Sequence, residues 1–158
     1  MNRFHNGEMT FADSIKHTNQ KEYKTNSGKI VYGGGGITPD IFVPYDTLAI
    51  DKEITLALIK GTFNNFVYQN YLEHQQEFKT YNSPKIFQEK YSVDEATLNS
   101  LKKYAQKDSI IFDLADLKEK SLLQKQIKVM TARQIWRTQG LYEVSNPEDV
   151  TINKALEF

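Results

Sequence analysis

The sequence predicts a mainly α-helical chain preceded by a short β-hairpin and a glycine-rich strand. Three observations carry that expectation. From about Asp46 onward, apolar residues recur at spacings of three and four, as on one face of a helix. Ahead of that point, two short β-prone runs flank the turn tripeptide Asn26-Ser27-Gly28. Between the two regions stands a run of four glycines, Gly33 to Gly36, which no helix would tolerate. The change of grammar near Asp46 divides the chain into residues 1–46 and a helical domain, 47–158.

Residues 1–22 show no periodicity and read as an irregular arm, with Phe4, Phe11 and Ile15 as its sizeable apolar side chains. The hairpin pairs Glu22-Tyr23-Lys24-Thr25 with Lys29-Ile30-Val31-Tyr32. After the glycines, Ile37-Thr38-Pro39-Asp40 leads into the short apolar run Ile41-Phe42-Val43, closed by Pro44.

Five or six helices are expected beyond residue 48. Asp51 caps a first helix that Gly61 stops. Thr62 caps a second, running to about residue 80. Its apolar face carries Phe63, Phe66, Val67, Tyr71, His74, Phe78 and Tyr81. Ser83-Pro84 places a cap before proline at the first helical position, opening a short helix to about Lys90. Ser92 to Glu95 fits a capping box for a helix to about Lys107. The stretch 108–113 fits neither period. A long helix follows from about Leu114 to Thr138, with Gly140 as its stop, and Ser145 to Glu148 opens a last helix to about Glu157. Trp136, Val129 and Leu122 share one stripe of the long helix, which predicts Trp136 buried against Ile152, Leu156 and Phe158 of the last one.

Composition excludes several function classes. Acidic and basic residues balance at 20 each, so no net field favours nucleic acid or an anionic membrane. With no cysteine there is no disulfide, no thiolate nucleophile and no Cys-ligated zinc. The three histidines, His5, His17 and His74, are too far apart in sequence for HExxH or HxxxH spacing, and His74 reads as a structural residue. No serine lies in a GxSxG elbow. No catalytic residue, cofactor or metal is therefore expected. No apolar run approaches the roughly 20 residues that span a bilayer. The polar N-terminus lacks the apolar core of a signal peptide and reads as the start of a truncated piece.

The glycine run needs a reason, since glycine in an element costs about 0.5–1 kcal/mol relative to alanine. A phosphate cradle fits poorly. Neither GxxxxGK[ST] nor GxGxxG is present, and Thr38-Pro39 stands where a helix N-terminus would have to offer N–H groups. A strand or bulge packed tightly against another piece of chain fits better.

The stretch Tyr32-Gly33-Gly34-Gly35-Gly36-Ile37-Thr38-Pro39-Asp40-Ile41-Phe42-Val43-Pro44 resembles one found in the S41 peptidases, the carboxy-terminal processing or tail-specific serine proteases. The tyrosine followed by four glycines is similar to the Bacteroidetes branch. Arg3 to Glu8, Ala12 to Ile15 and the strand pair from Tyr23 to Val31 are similar to the segment preceding it there. Thr131 to Trp136, Gly140 to Tyr142 and Asn153 to Leu156 resemble the end of those proteins, while the middle helices match loosely. In that family the serine nucleophile, the lysine base and the PDZ domain all lie upstream of this stretch. The resemblance therefore implies a non-catalytic C-terminal portion. Tyr32, Gly33, Gly34, Gly35, Gly36, Ile37, Pro39 and Asp40 would form a structural motif at the end of the protease core. It further implies a parent enzyme in the periplasm or cell envelope, acting on protein C-termini without a metal. The implied partners are the upstream core and, through it, protein substrates. The alternative is a stand-alone helical protein–protein interaction module. In either case the hairpin is too short for a stable sheet of its own, so it would fray, fold back or pair with a second copy in a homodimer.

Overall fold

The computed structural model describes residues 21–33, 41–44 and 51–157. The irregular arm with Phe4, Phe11 and Ile15 lies outside them, as do Gly34 to Asp40 and Phe158. The chain forms two units, Met1–Thr47 and Leu48–Phe158.

In the first unit, β1 (Glu22–Lys24) pairs antiparallel with β2 (Ile30–Tyr32), in the register Glu22 with Tyr32, Tyr23 with Val31 and Lys24 with Ile30. Gly28 makes the turn at φ 83°, a backbone region that side-chain-bearing residues seldom enter. Thr25 holds the turn from the other side, its Oγ1 accepting from the Lys29 amide at 3.1 Å. The Gly33 amide extends the ladder by donating to the Lys21 carbonyl at 2.8 Å. Both strands are exposed: Tyr23 is 51%, Ile30 47% and Val31 40% accessible.

The second unit is all α among its described residues, with seven helices. Helix α1 (Lys52–Ile59) starts at Asp51, whose carboxylate accepts the Ile54 amide at 2.8 Å. It ends before Gly61, which takes φ 74°. Helix α2 (Thr62–Glu73) is capped by Gly61, not by Thr62. Thr62 is fully buried, and its hydroxyl instead donates to Asp108 Oδ2 at 2.6 Å. A side chain committed to a tertiary partner cannot also serve its own helix end. The expected run to residue 80 is interrupted at His74 (φ −114°, ψ 24°), which separates α2 from the single turn α3 (Gln75–Phe78).

Ser83 caps α4 (Pro84–Lys90), accepting the Ile86 amide at 3.3 Å with Pro84 in the first turn. Asp94, rather than Ser92, caps α5 (Glu95–Ala105), accepting the Thr97 amide at 2.8 Å. An ionised carboxylate is favoured over a hydroxyl beside a helix N-terminus, and Glu95 is then free to pair with Lys120. After α5 a 3-10 turn (Gln106–Asp108) and Ser109 at φ 58° lead into a segment without regular structure whose burial alternates: Ile110 and Phe112 are fully buried, while Ile111 between them is 74% exposed.

Helix α6 (Leu117–Ser145) opens on Asp116, which accepts the Lys118 amide at 2.8 Å. Helices α2 and α4 pack against it. The core is continuous through Phe63, Phe66, Val67, Phe87, Leu98, Leu101, Leu123 and Ile127. Lys128 Nζ donates to the Gln88 carbonyl at 2.6 Å, and Gln124 Nε2 to the Val93 carbonyl at 3.0 Å. These bonds fasten α6 to the last turn of α4 and to the loop that follows it. A short helix, α7 (Val150–Ala155), is capped by Asp149 and buries none of its residues.

Two expectations about α6 are corrected. Gly140 does not stop the helix; the helical path breaks earlier, at Arg137, with φ 56° and ψ −135°, and then resumes. Gly140 is buried, and a Cβ there would collide with the Ala132 carbonyl group and sit 3.0 Å from Trp136 Cβ. Its missing side chain is what lets the returning segment close on the preceding turn. Trp136 is half-buried against Phe87 of α4, with ring centroids 5.5 Å apart, and not against the last helix.

Phe87 is the hub of an aromatic cluster with Phe78, Tyr81, Tyr91 and Trp136, at centroid distances of 4.5 to 6.4 Å. Replacing it with alanine should cost about 3–5 kcal/mol in urea unfolding and shift Trp136 emission to longer wavelength. A stability change below about 1 kcal/mol would show that the ring cluster is dispensable. At the break, a non-glycine residue in this conformation costs about 1–3 kcal/mol. Arg137→Gly should therefore stabilise the fold by about 1 kcal/mol after glycine's own entropy cost. Gly140→Ala, which pushes a methyl group into backbone, should destabilise by about 1–3 kcal/mol. Paired thermal melts with these signs reversed would mean that Arg137 is unstrained.

Candidate functional site

Helices α2 and α6 leave a cleft of about 420 Å³ between them at the helix break. Asn64 and Val67 come from α2; Met130, Arg133, Gln134, Arg137 and Thr138 come from α6. Val67 and Met130 are buried, at 2% and 7% exposure, and give the cleft an apolar floor. The other five side chains are exposed and polar. Neither guanidinium group has an ion pair or hydrogen bond among the described residues, where the carboxylates in ion pairs are Glu95, Glu148 and Glu157. The result is a recess with two positive charges, amide and hydroxyl groups, and no negative charge of its own.

A second cleft, of about 240 Å³, lies between α2 and α5 and holds Glu73, His74, Asp94, Ser100 and Tyr104. It contains a histidine, two carboxylates and several hydroxyls, of which His74 and Asp94 are already engaged. His74, expected on the apolar face, is exposed at the α2–α3 break, with Nδ1 2.9 Å from the Asn70 carbonyl, to which a protonated Nδ1 donates. Asp94 is held below the usual carboxylate range chiefly by the Thr97 amide that it caps. Beside them, burial pushes the Tyr91 hydroxyl far up, with Glu77 and Asp94 adding to the effect. No group of three or more metal-ligating side chains occurs among the described residues. Among those residues, too, no helix is long and apolar enough to cross a membrane.

The sequence-derived motif is described only at its start. Tyr32 closes β2, and Gly33 follows it with its Cα against the Tyr23 ring, where an added Cβ would lie 2.5 Å from Cε2. The contact is with the outer edge of a ring that is half exposed and can swing aside. Gly34, Gly35, Gly36, Ile37, Pro39 and Asp40 lie outside the described residues. Arg133 and Arg137 were not singled out from the sequence, although one signal was available. Only three of the 20 basic residues are arginine (Arg3, Arg133 and Arg137), and two of those stand four residues apart.

Glu119, in the first turn of α6, is 9% exposed, and its Oε1 has no partner. Burial raises its pKa, the Asp113 amide opposes the rise, and Asp51, Asp113 and Asp116 add to it. A carboxyl that holds its proton more tightly folded than unfolded opposes folding once ionised. That penalty is present at neutral pH. It disappears as pH falls from the raised folded value to the ordinary glutamate value of about 4.3. Glu119→Gln should therefore be more stable than the parent at pH 7, with the two converging below about pH 4. Parallel pH-stability curves for the two proteins would show that Glu119 is not a strained carboxylate.

A family model described as "Family of unknown function (DUF8443)" matches residues 55–137, just over half of the chain, and the chain belongs to that family. The match begins within α1 and ends on the residue at the helix break. No curated protein and no solved structure matches the chain.

Proposed function

We propose that this member of the DUF8443 family is the non-catalytic C-terminal portion of a carboxy-terminal processing serine peptidase. Its helical unit would cover or position a protease core encoded upstream. The observation that carries this reading is the segment from Tyr23 to Pro44. Its motif is similar to the S41 stretch, its strands leave Tyr23, Ile30 and Val31 40–51% exposed, and Ile41 beyond them is 39% exposed. Two three-residue strands are marginal in water, and an open apolar edge invites another strand. A protease core would supply such neighbours. The Ser–Lys pair of the parent would lie in that core, and proteins would be cut near their C-termini in the cell envelope.

A second reading is a helical interaction module that acts by itself. It is favoured by the family match, which lies wholly within the helical unit and includes none of the hairpin.

Two measurements separate these readings. The genomic frame upstream of Asn2 should encode a serine and a lysine in the S41 pattern. The chain alone should give background turnover of casein, while the longer protein cleaves it and loses activity on Ser→Ala. Turnover by the chain alone that disappears on mutating a serine within 1–158 would sink the first reading. An upstream stop codon, together with a monomeric chain whose hairpin amides are protected, would leave the second.

A further inference from the structure

The cleft at the helix break has features that neither reading above uses. We propose that it binds an oxyanion, a phosphate or carboxylate group on a small ligand, through the Arg133 and Arg137 guanidinium groups. Three observations converge on it. First, the chain meets nearly all its need for positive charge with lysine and places two of its three arginines on this one recess. Arginine differs from lysine in offering a planar fork of N–H donors that grips two oxygens at once. Second, both arginines are without a carboxylate partner among the described residues, so the fork is free to accept an outside anion.

Third, Arg137 occupies a backbone conformation that glycine would hold at lower cost. Gly140, packed on the Ala132 carbonyl, fixes the bend around it. A residue kept in strain at the lip of a polar cleft points to a role for its side chain. Asn64, Gln134 and Thr138 add donors around the rim, and Val67 and Met130 give an apolar floor for the ligand's carbon skeleton. The volume of about 420 Å³ lies within the range usual for small-molecule sites.

The test is titration calorimetry of the full chain in dilute zwitterionic buffer, with inorganic phosphate and succinate as the probes. Two-dimensional NMR would follow the arginine side-chain Nε–H signals. At least one probe should bind saturably and shift both signals; the tighter one identifies the anion's chemistry. Arg133→Gln and Arg137→Gln should each weaken binding tenfold or more. Arg137→Lys, which keeps the charge but loses the fork, should weaken it at least threefold. Lys125→Gln, away from the cleft lining, should leave it unchanged. Arg137→Gly gives the sharpest reading: it should melt at a higher temperature than the parent and yet lose binding, which separates ligand contact from folding. The proposal is overturned if neither probe binds saturably, or if both Gln variants bind within threefold of the parent. Equal weakening by Lys125→Gln would also overturn it, since the effect would then be one of general charge.

Discussion

Helix α6 buries Leu123, Ile127 and Met130, four and three residues apart, and that stripe is the surface against which α2 and α4 pack. Helix α2 brings Phe63, Phe66 and Val67, and α4 brings Pro84 and Phe87. Each is too short to be stable alone in water. Their order depends on being held against one long helix, and the arrangement of the clefts depends on it in turn. The last turn of α4 and the loop after it are secured in the same way, by side chains of α6 donating to the carbonyls of Gln88 and Val93.

The break at Arg137 is the local exception within that long helix. Up to Trp136 the side chains continue the inward stripe and reach the Phe87 cluster. Beyond it the path bends, and the returning turn can approach only because Gly140 has no Cβ. Strain at Arg137 and close packing at Gly140 are thus two halves of one device. That device sets both arginines at the mouth of a recess instead of leaving them on an uninterrupted surface. Elsewhere the chain follows ordinary helix rules. Asp51, Ser83, Asp94, Asp116 and Asp149 all accept an amide in the first turn of the helix they open.

The first unit follows a different logic. Its hairpin satisfies its own turn and ladder hydrogen bonds, yet it keeps aromatic and β-branched side chains in solvent. Proteins usually blunt such edges with charge, proline or a covering element. Lys21 over the Tyr23 ring, at 5.8 Å, is a modest cover. This contrast between a well-packed helical unit and an uncovered hairpin is what the peptidase proposal rests on. The oxyanion proposal rests on the helical unit alone, and the two stand or fall separately.

By itself, the sequence determined the fold class, the hairpin turn at Gly28, the caps at Asp51 and Ser83, and the burial of Phe63, Phe66, Val67 and Phe78, while Tyr71, expected buried with them, is only half-buried. These are written in local chemistry: the period of apolar residues, the preference of capping oxygens for free amides, and glycine's access to positive φ. Only the tertiary structure decided the rest. Thr62 looked like a cap until Asp108, 46 residues away in sequence, took its hydroxyl. Gly140 looked like a stop until the Ala132 carbonyl filled the space that its Cβ would have occupied. Trp136 lay on a stripe that pointed to the last helix, but a bend one residue later turned the chain, and the ring packed on Phe87. The arginine cleft shares that origin. Arginines four apart are visible in any listing of the chain, but their joint use of one recess depends on a backbone break stabilised by packing. A break of that kind leaves no periodic trace in the sequence.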